Sequence, residues 1–239
     1  MLELINITKK FGNFTAVDNL NLKIESGDFF GFLGQNGAGK TTTIKMISGL
    51  YTATSGKILI NGIDIVDEPI KAKQLIGYIP DQPFLYEKLT GREFLYFSGG
   101  LYSIGKEKLR IKIDSIIDEL KIDSWVDKRT EEYSQGMKQR ITIASALLHD
   151  PKLLLVDEPM VGLDPQSAVV VKNVLRNRAD HGAAIFMSTH SLNVAEEICS
   201  KIGIIKDGKM IFSDTKEVLE NIKGSDHHNL ESIFLHLTK

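Results

Sequence analysis

The sequence predicts an α/β fold with a mostly parallel sheet, an N-terminal antiparallel β part and an inserted helical subdomain. Two runs, "KLLLVDEP" and "AAIFMSTH", are continuously apolar, as in strands that are buried on both faces of a parallel sheet. From about residue 89 to 149 the apolar positions instead recur at helical spacing. We therefore expect one domain over residues 1–239. Its core would cover about 1–88 and 150–239, and its helical subdomain about 89–149.

Strands precede a short helix in the first part of the chain. The run "LELINITKKF" alternates between apolar and polar residues, and a turn signal, "SGD", comes before the apolar run "FFGFL". A helix is expected to begin near Gly39 or Lys40 and to end at Ser48 and Gly49. Two further strands follow in "SGKILINGIDI" and "LIGYIPD".

The inserted subdomain is expected to hold three helices. They cover "GREFLYFSGGLYSI", "KEKLRIKIDSIIDELKI" with one apolar face, and "SQGMKQRITIASALLHD" with Ser134 as a candidate N-cap. Later, "IGIIKDGKMIF" predicts a hairpin through Asp207 and Gly208. A final helix over "NLESIFLHLTK" is expected to dock on the body of the protein, rather than to dimerise or to lie on a membrane.

Composition and charge exclude several classes of protein. Hydrophobic residues make up 42% and charged residues 25%, which is ordinary for a globular protein, and the net charge of -2 gives no basic bias toward nucleic acid. No apolar stretch approaches the roughly 20 residues that cross a bilayer, and the first residues lack the pattern of a secretory signal. The single cysteine, Cys199, excludes an internal disulfide and is expected to be a small buried hydrophobe. These features predict a cytoplasmic protein.

A phosphate-binding loop connects the apolar run "FFGFL" to the first helix. The segment "GQNGAGKT" matches the pattern G-x-x-x-x-G-K-[ST] in full, with a strand before it and a helix after it. Small residues let backbone N–H groups turn toward a phosphate, and the start of the helix adds its positive dipole end. The alternative, a glycine-rich loop with no ligand, fits the pattern less well. The expected phosphate contacts are Gly34, Asn36, Gly37, Ala38, Gly39, Lys40, Thr41 and Thr42.

Two acids follow the strand "LLLV". Asp157 at the carboxyl end of the strand is well placed to hold Mg²⁺ together with the Thr41 hydroxyl. Glu158 would point differently and could polarise an attacking water, which favours hydrolysis over transfer to an acceptor alcohol. The alternative is that one of the two acids only caps the end of the strand. This pattern predicts a P-loop NTPase core that binds nucleotide phosphates together with Mg²⁺.

Six motifs in order resemble those of the ATP-binding cassette family, the nucleotide-binding subunits of ABC transporters. They are the aromatic of "KKFGNF", "GQNGAGKTT" (Walker A), "YSQGMKQR" (the family signature), "LLLVDEP" (Walker B), "VGLDP" (the D-loop), and "STH" with the switch histidine. The resemblance implies that Phe11 stacks on adenine and that His190 contacts the γ-phosphate. It also implies that Ser134 and Gly136 contact a γ-phosphate and that Asp164 acts across a subunit interface. From the residues alone, His190 could be a satisfied polar group and Phe11 a core residue.

The sequence departs from the family pattern at two places. The signature has Tyr133, Gln135 and Met137 where the family has Leu, Gly and Gln. The family glutamine that contacts Mg²⁺ and the lytic water falls by position on Asp81, with Gln82 next to it, and either could serve. We expect the signature to function because its serine and second glycine are present.

The resemblance further implies a function and its partners. Two ABC subunits, identical or related, would pair head-to-tail, so that each ATP lies between the Lys40 loop of one and the signature of the other. The segment 83–91, "PFLYEKLTG", would accept a cytoplasmic helix of an integral membrane transport protein through Phe84, Leu85 and Tyr86. The alternative is that these three residues pack inside the helical subdomain. The subunit would then lie on the inner face of the cell membrane and power transport, in the manner of multidrug or peptide-resistance exporters. The alternatives are a soluble ABC ATPase that acts on a macromolecular complex and a P-loop kinase.

Overall fold

The computed structural model describes residues 1–215 together with Val218 and Phe234. Its first half contains, in chain order, β1 (Leu2–Phe11), β2 (Phe14–Ile24), β3 (Phe29–Leu33), α1 (Lys40–Ile47), β4 (Ser55–Ile60), β5 (Ile63–Asp64), α2 (Pro69–Gln74), β6 (Ile76–Ile79), α3 (Gly91–Leu101) and α4 (Lys106–Leu120). Next come a 3₁₀ turn (Thr130–Glu132), α5 (Gln135–Leu147), β7 (Leu153–Asp157), α6 (Pro165–Asp180), β8 (Ala184–Thr189), α7 (Leu192–Ile198), β9 (Lys201–Lys206) and β10 (Lys209–Thr215). The expected helix over "NLESIFLHLTK" lies outside the described residues, apart from Phe234.

Two sheets form the scaffold of the described part of the chain. The strands β2, β1, β4 and β5 form an antiparallel sheet in that order. The second sheet has the order β10-β9-β3-β8-β7-β6, and all of its pairs are parallel except β9 with β10. The α/β fold with an antiparallel N-terminal part is therefore confirmed.

The strands β3, β8 and β7 in the middle of the second sheet are buried on both faces, as the apolar runs predicted. Every residue of β3, β7 and β8 is buried. Side chains alternate along each strand, so Leu154 and Val156 face one hydrophobic cluster with the helices α4 to α6, whereas Leu153 and Leu155 face another with α1 and the antiparallel sheet. Cys199 belongs to the first cluster, as expected of a small hydrophobe.

The helices α3, α4 and α5 lie between β6 and β7 in the chain. The α3 helix begins with a capping box, in which Thr90 accepts a hydrogen bond from the Glu93 N–H and the Glu93 carboxylate accepts one from the Thr90 N–H. The α5 helix begins at the predicted cap, because Ser134 accepts from the Met137 N–H. The division into a core and a helical subdomain stays a prediction. Within the described residues, no helix combines the length and apolar character that a bilayer span requires.

Three helices were not predicted from the sequence, namely α2, α6 and α7. The α6 helix had a detectable start signal, since Asp164 caps it and Pro165 occupies its first position. The α7 helix has only seven residues, and α2 has six, so each offers little periodicity to detect. The α6 helix matters for the site because its cap is one of the predicted interface residues.

Candidate nucleotide-binding site

The loop between β3 and α1 holds Lys40 in an unusual environment. The Lys40 side chain is 7% exposed, and its Nζ donates to the carbonyl oxygens of Gly34 at 2.7 Å and Gln35 at 3.2 Å. Burial lowers the pKa of the Lys40 ammonium, although the charges of Glu158 and Asp157 act in the opposite direction. Among the described residues, no carboxylate forms an ion pair with it. This cation is therefore held in place by the loop and is available to an anion.

The start of α1 requires a glycine for two reasons. Gly39 has a φ of +110°, and a Cβ on it would lie 2.5 Å from the carbonyl oxygen of Ala16. The loop can therefore pass close to β2 only with a glycine at this position. The result is that the first turn of α1, with its free N–H groups, opens onto the cavity described next.

A cavity of about 430 Å³ collects most of the residues that the sequence singled out. Its volume falls in the usual range for small-molecule sites. Gly34 and Ala38 belong to the same loop but do not line the cavity, and Phe14 and Ala16 are lining residues that the sequence analysis missed. The lining residues are Phe14, Ala16, Asn36, Gly37, Gly39, Lys40, Thr41, Thr42, Asp81, Glu158 and His190.

Asp157 precedes the lining residue Glu158 but does not itself line the cavity, and one of its oxygens is unpartnered. Asp157 is 1% exposed, and its Oδ1 accepts from the hydroxyl of Ser188. Burial raises the pKa of Asp157, and the negative charges of Asp81 and Glu158 add to this effect. Its Oδ2 is buried with no hydrogen-bond partner. An orphaned carboxylate oxygen beside a hydroxyl suits a hard divalent cation such as Mg²⁺. The cation would offset both the cost of burying the Asp157 charge and its repulsion by Asp81 and Glu158.

The protein alone does not provide a complete metal site. Within the part of the chain that the structure describes, no three His, Cys, Asp or Glu side chains cluster in a way that could hold a metal ion. Mg²⁺ commonly keeps several waters and binds to one or two carboxylates together with the phosphates of a substrate. The residues Thr41 and Asp157 therefore fit a Mg²⁺ ion that arrives with a nucleotide.

Glu158 and His190 meet at the edge of the cavity. The Glu158 Oε1 accepts from the Nδ1 of His190 at 2.8 Å, and its Oε2 accepts from the Thr189 hydroxyl at 3.3 Å. Glu158 has a φ of +49°, a conformation that a non-glycine residue rarely adopts. Its backbone N–H donates to the carbonyl of Ser188, which ties this turn to the end of β8. The strained turn directs the carboxylate toward the cavity, away from the direction of Asp157.

Asp81 and Gln82 are placed differently. Both residues are exposed, but Asp81 lines the cavity and Gln82 is not among its lining residues. The charge of Asp81 also contributes to raising the pKa of Tyr78 to about 12, behind burial and the charge of Asp157. The geometry therefore favours Asp81 over Gln82 for the role near Mg²⁺, and this assignment stays a prediction.

The signature and D-loop residues lie outside the cavity. Ser134 caps α5, and the backbone of Gly136 lies against the carbonyl of Gly162. Asp164 caps α6, accepting from the Ser167 N–H at 2.9 Å and from its hydroxyl at 2.6 Å. Asp164 lines a separate cavity of about 660 Å³. The two motifs thus pack against each other, and neither contributes a lining residue to the Lys40 cavity of the same chain.

Two aromatic residues compete for the predicted adenine contact. Phe11 and Phe14 face each other across the β1–β2 hairpin, 45% and 64% exposed. The Phe11 ring packs edge-on against Tyr51 at 5.7 Å, whereas Phe14 lines the cavity. Phe11 keeps the role implied by the family motif, and Phe14 is the alternative that the hairpin geometry adds.

We expect Phe11→Ala to weaken ATP binding by roughly tenfold, because stacking of a base on an aromatic ring contributes about 1–3 kcal/mol. Phe14→Ala is the matched control in the same hairpin and should change the affinity less. Isothermal titration calorimetry with ATP and with GTP measures the nucleotide affinity of both variants. If only Phe14→Ala loses affinity, Phe14 is the stacking residue and the assignment to Phe11 is wrong.

The fold and site together define a P-loop nucleotide-binding ATPase: a glycine-rich loop with a buried lysine after β3, and an aspartate followed by a glutamate after β7. Residues 17–161 match the family model described as ABC transporter. The chain therefore belongs to the ATP-binding, ATP-hydrolysing subunits of the ABC transporter family.

Named relatives agree with this family. The chain is 38% identical over 226 residues to the linearmycin resistance ATP-binding protein LnrL of Bacillus subtilis, covering 95% of this chain and 73% of the relative. It is 38% identical to the bacitracin transport ATP-binding protein BcrA of Bacillus licheniformis, covering 88% and 68%. It is 35% identical to the probable multidrug ABC transporter ATP-binding protein YbhF of Escherichia coli, covering 99% of this chain but 41% of YbhF.

Solved structures show the same fold. An ATP-binding subunit of an ABC transporter superimposes with a TM-score of 0.94 at 30% identity, covering 100% of both chains. The dimeric ATP-binding cassette MJ0796, in a post-hydrolysis state bound to ADP and phosphate, superimposes with a TM-score of 0.82 at 27% identity, covering 90% of this chain and 98% of that chain.

Proposed function

We propose that this chain powers export by an ABC transporter whose membrane-spanning part is a separate integral protein. It would be a cytoplasmic subunit held on the inner face of the cell membrane. The observation that carries the proposal is that the signature, at the start of α5, contributes no lining residue to the Lys40 cavity of the same chain. A nucleotide site shared between two subunits requires this separation. The relatives named for linearmycin resistance, bacitracin transport and multidrug transport support export as the direction.

Within one subunit, the cavity would hold the triphosphate of ATP. Lys40 would contact the β- and γ-phosphates, and the loop N–H groups with the start of α1 would surround the β-phosphate. Thr41 and Asp157 would hold Mg²⁺, with Asp81 beside them and Gln82 as the alternative. Mg²⁺, when bound, would neutralise charge on the phosphates. The orphaned Asp157 oxygen supports this arrangement, as does the Lys40 cation, which forms no ion pair among the described residues.

Hydrolysis would depend on Glu158 and His190. The Glu158 carboxylate would accept a hydrogen bond from the attacking water and orient it toward the γ-phosphate. His190 holds one carboxylate oxygen at 2.8 Å, and Thr189 holds the other, so the carboxylate is oriented before a water arrives. His190 is largely exposed at the cavity edge, where it would also contact the γ-phosphate.

A second ABC subunit would complete the site. Ser134 and Gly136 of one subunit would meet the γ-phosphate that the other subunit's Lys40 loop binds, so ATP would join the two chains head-to-tail. Asp164 lies beside this signature and would act at the same interface. The dimeric MJ0796 cassette supports such a pair, whose two chains would be identical or related. Loss of the γ-phosphate would remove contacts from the interface and open it.

An exposed aromatic patch is the proposed contact with the membrane protein. We define it as Phe84, Tyr86, Phe97 and Leu101, of which Phe84 and Leu101 are 75% and 71% exposed. The rings of Phe84 and Tyr86 lie 5.8 Å apart, and those of Tyr86 and Phe97 lie 5.3 Å apart. Leu101 follows Phe97 by one turn of α3 and shares its face. A contiguous apolar patch of this kind suits a helix that presents apolar side chains.

We expect the double variant Phe84→Ser/Phe97→Ser to lose most of its association with membranes, because it removes the apolar contact area of the patch. The matched control is Ile111→Ser, which removes an exposed apolar side chain from α4 of the same region. Membrane fractionation followed by identification of the co-purified integral protein measures the effect. Recovery of a macromolecular complex without an integral membrane protein would instead favour the non-transport ATPase.

A further inference from the structure

The Tyr133 hydroxyl connects, through a hydrogen bond, the start of α3 to the segment that precedes α5. Its oxygen accepts from the backbone N–H of Gly91, the first residue of α3, at 3.2 Å, and it donates to the carbonyl of Val126 at 3.1 Å. Tyr133 is 6% exposed, and burial raises its pKa to about 12. The hydroxyl therefore stays protonated near neutral pH and can both donate and accept. Tyr133 directly precedes Ser134, the predicted γ-phosphate contact.

The Tyr133 ring is closely packed against its neighbours. A Cβ on Gly91 would lie 2.4 Å from the Tyr133 hydroxyl oxygen, so the close approach depends on glycine at residue 91. The Tyr133 ring packs edge-on against Trp125, with 5.0 Å between the ring centroids. The Arg140 guanidinium lies 5.0 Å from the centroid of the Trp125 ring. These contacts orient the hydroxyl toward the start of α3.

Further hydrogen bonds join the same two segments of chain. The Thr130 hydroxyl donates to the carbonyl of Tyr86, and the Thr130 N–H donates to that of Leu89, both at 2.9 Å. The Arg92 N–H donates to the carbonyl of Val126 at 3.1 Å. Segment 86–92, which carries part of the aromatic patch, is thereby attached to segment 126–133. The Thr130 hydrogen bonds to segment 86–92 lie four residues before Ser134. The Tyr133 hydrogen bond to the same segment lies on the residue directly before Ser134.

We propose that Tyr133 is a positioning residue, whose hydroxyl transmits movement of the aromatic patch to Ser134 at the start of α5. The inference rests on the proposed function, because it assumes that Ser134 contacts ATP bound by the other subunit. Leucine, which the family signature usually has at this position, could form neither hydrogen bond. Loss of the hydroxyl would leave the Gly91 N–H without its acceptor and would loosen the signature relative to α3. The apolar packing of the ring would persist.

The test compares Tyr133→Phe and Tyr133→Leu in a Glu158→Gln background, in which ATP is expected to accumulate the dimer. The control is Tyr102→Phe, which removes a hydroxyl from a half-buried tyrosine that stacks on His149. We expect the ATP concentration for half-maximal dimerisation to rise on the order of tenfold in Tyr133→Phe. Tyr102→Phe should stay close to the parent protein. ADP binding to the monomer should be unchanged, since Tyr133 does not line the Lys40 cavity.

Hydrogen–deuterium exchange separates positioning from simple packing. At saturating ATP, the parent dimer should exchange more slowly in peptides covering 86–92 as well as in the Lys40 loop. In Tyr133→Phe the slowing should be lost in 86–92 and retained in the loop. The inference is overturned if Tyr133→Phe matches the parent in both measurements, or if it loses ADP binding, which would indicate a structural role alone. Failure of the parent itself to dimerise would overturn the proposed function instead.

Discussion

Replacing Glu158 with glutamine is expected to slow ATP turnover by about a hundredfold or more, because a positioned general base contributes roughly 10²–10⁴-fold to a rate. Glutamine keeps the shape of the side chain, so His190 and Thr189 should still hold it near their present positions. ATP binding should persist, because the Lys40 loop is unchanged. Phosphate release and equilibrium binding of a fluorescent ATP analogue measure the two effects separately.

The same variant should accumulate as an ATP-bound dimer, which gel filtration with ATP and Mg²⁺ detects. Glu197→Gln is the matched control, since Glu197 is an exposed acid that pairs with Lys172 on the surface. It should hydrolyse ATP at the parent rate. If the Glu158 variant stays monomeric in excess ATP and hydrolyses normally, the role assigned to Glu158 is wrong.

Replacing Lys40 with alanine is expected to lower ATP affinity by about tenfold to a hundredfold, because hydrogen bonds to charged groups contribute about 1.5–3 kcal/mol. The variant also leaves the carbonyl oxygens of Gly34 and Gln35 without their donor, so the loop itself should become less well ordered. Calorimetric titration with ATP measures the affinity, and thermal unfolding without nucleotide measures any change in stability.

Lys112→Ala provides a matched control for this experiment. Lys112 is also a largely buried lysine, and its ammonium donates to the carbonyl of Leu148 at 3.0 Å, outside the cavity. Its loss should affect stability but leave ATP affinity near the parent value. An unchanged affinity in Lys40→Ala would remove the main support for a phosphate site at this loop.

The sequence by itself determined the features that depend on neighbouring residues. The continuous apolar runs indicated β7 and β8, since a strand buried on both faces needs no polar alternation. The glycine-rich segment with Lys40 indicated the loop before α1, and Ser134 indicated the start of α5, because caps and phosphate loops are local hydrogen-bonding patterns. The family motifs then named the residues of the site in order.

The tertiary structure decided the contacts that join distant parts of the chain. Glu158 meets His190 because β7 and β8 are adjacent parallel strands, so their carboxyl ends bring together residues 32 positions apart. Phe14 reaches the cavity through the β1–β2 hairpin, and the Tyr133 hydroxyl reaches Gly91 across 42 positions. Such contacts follow from strand order and helix packing, which the local spacing of residues does not specify.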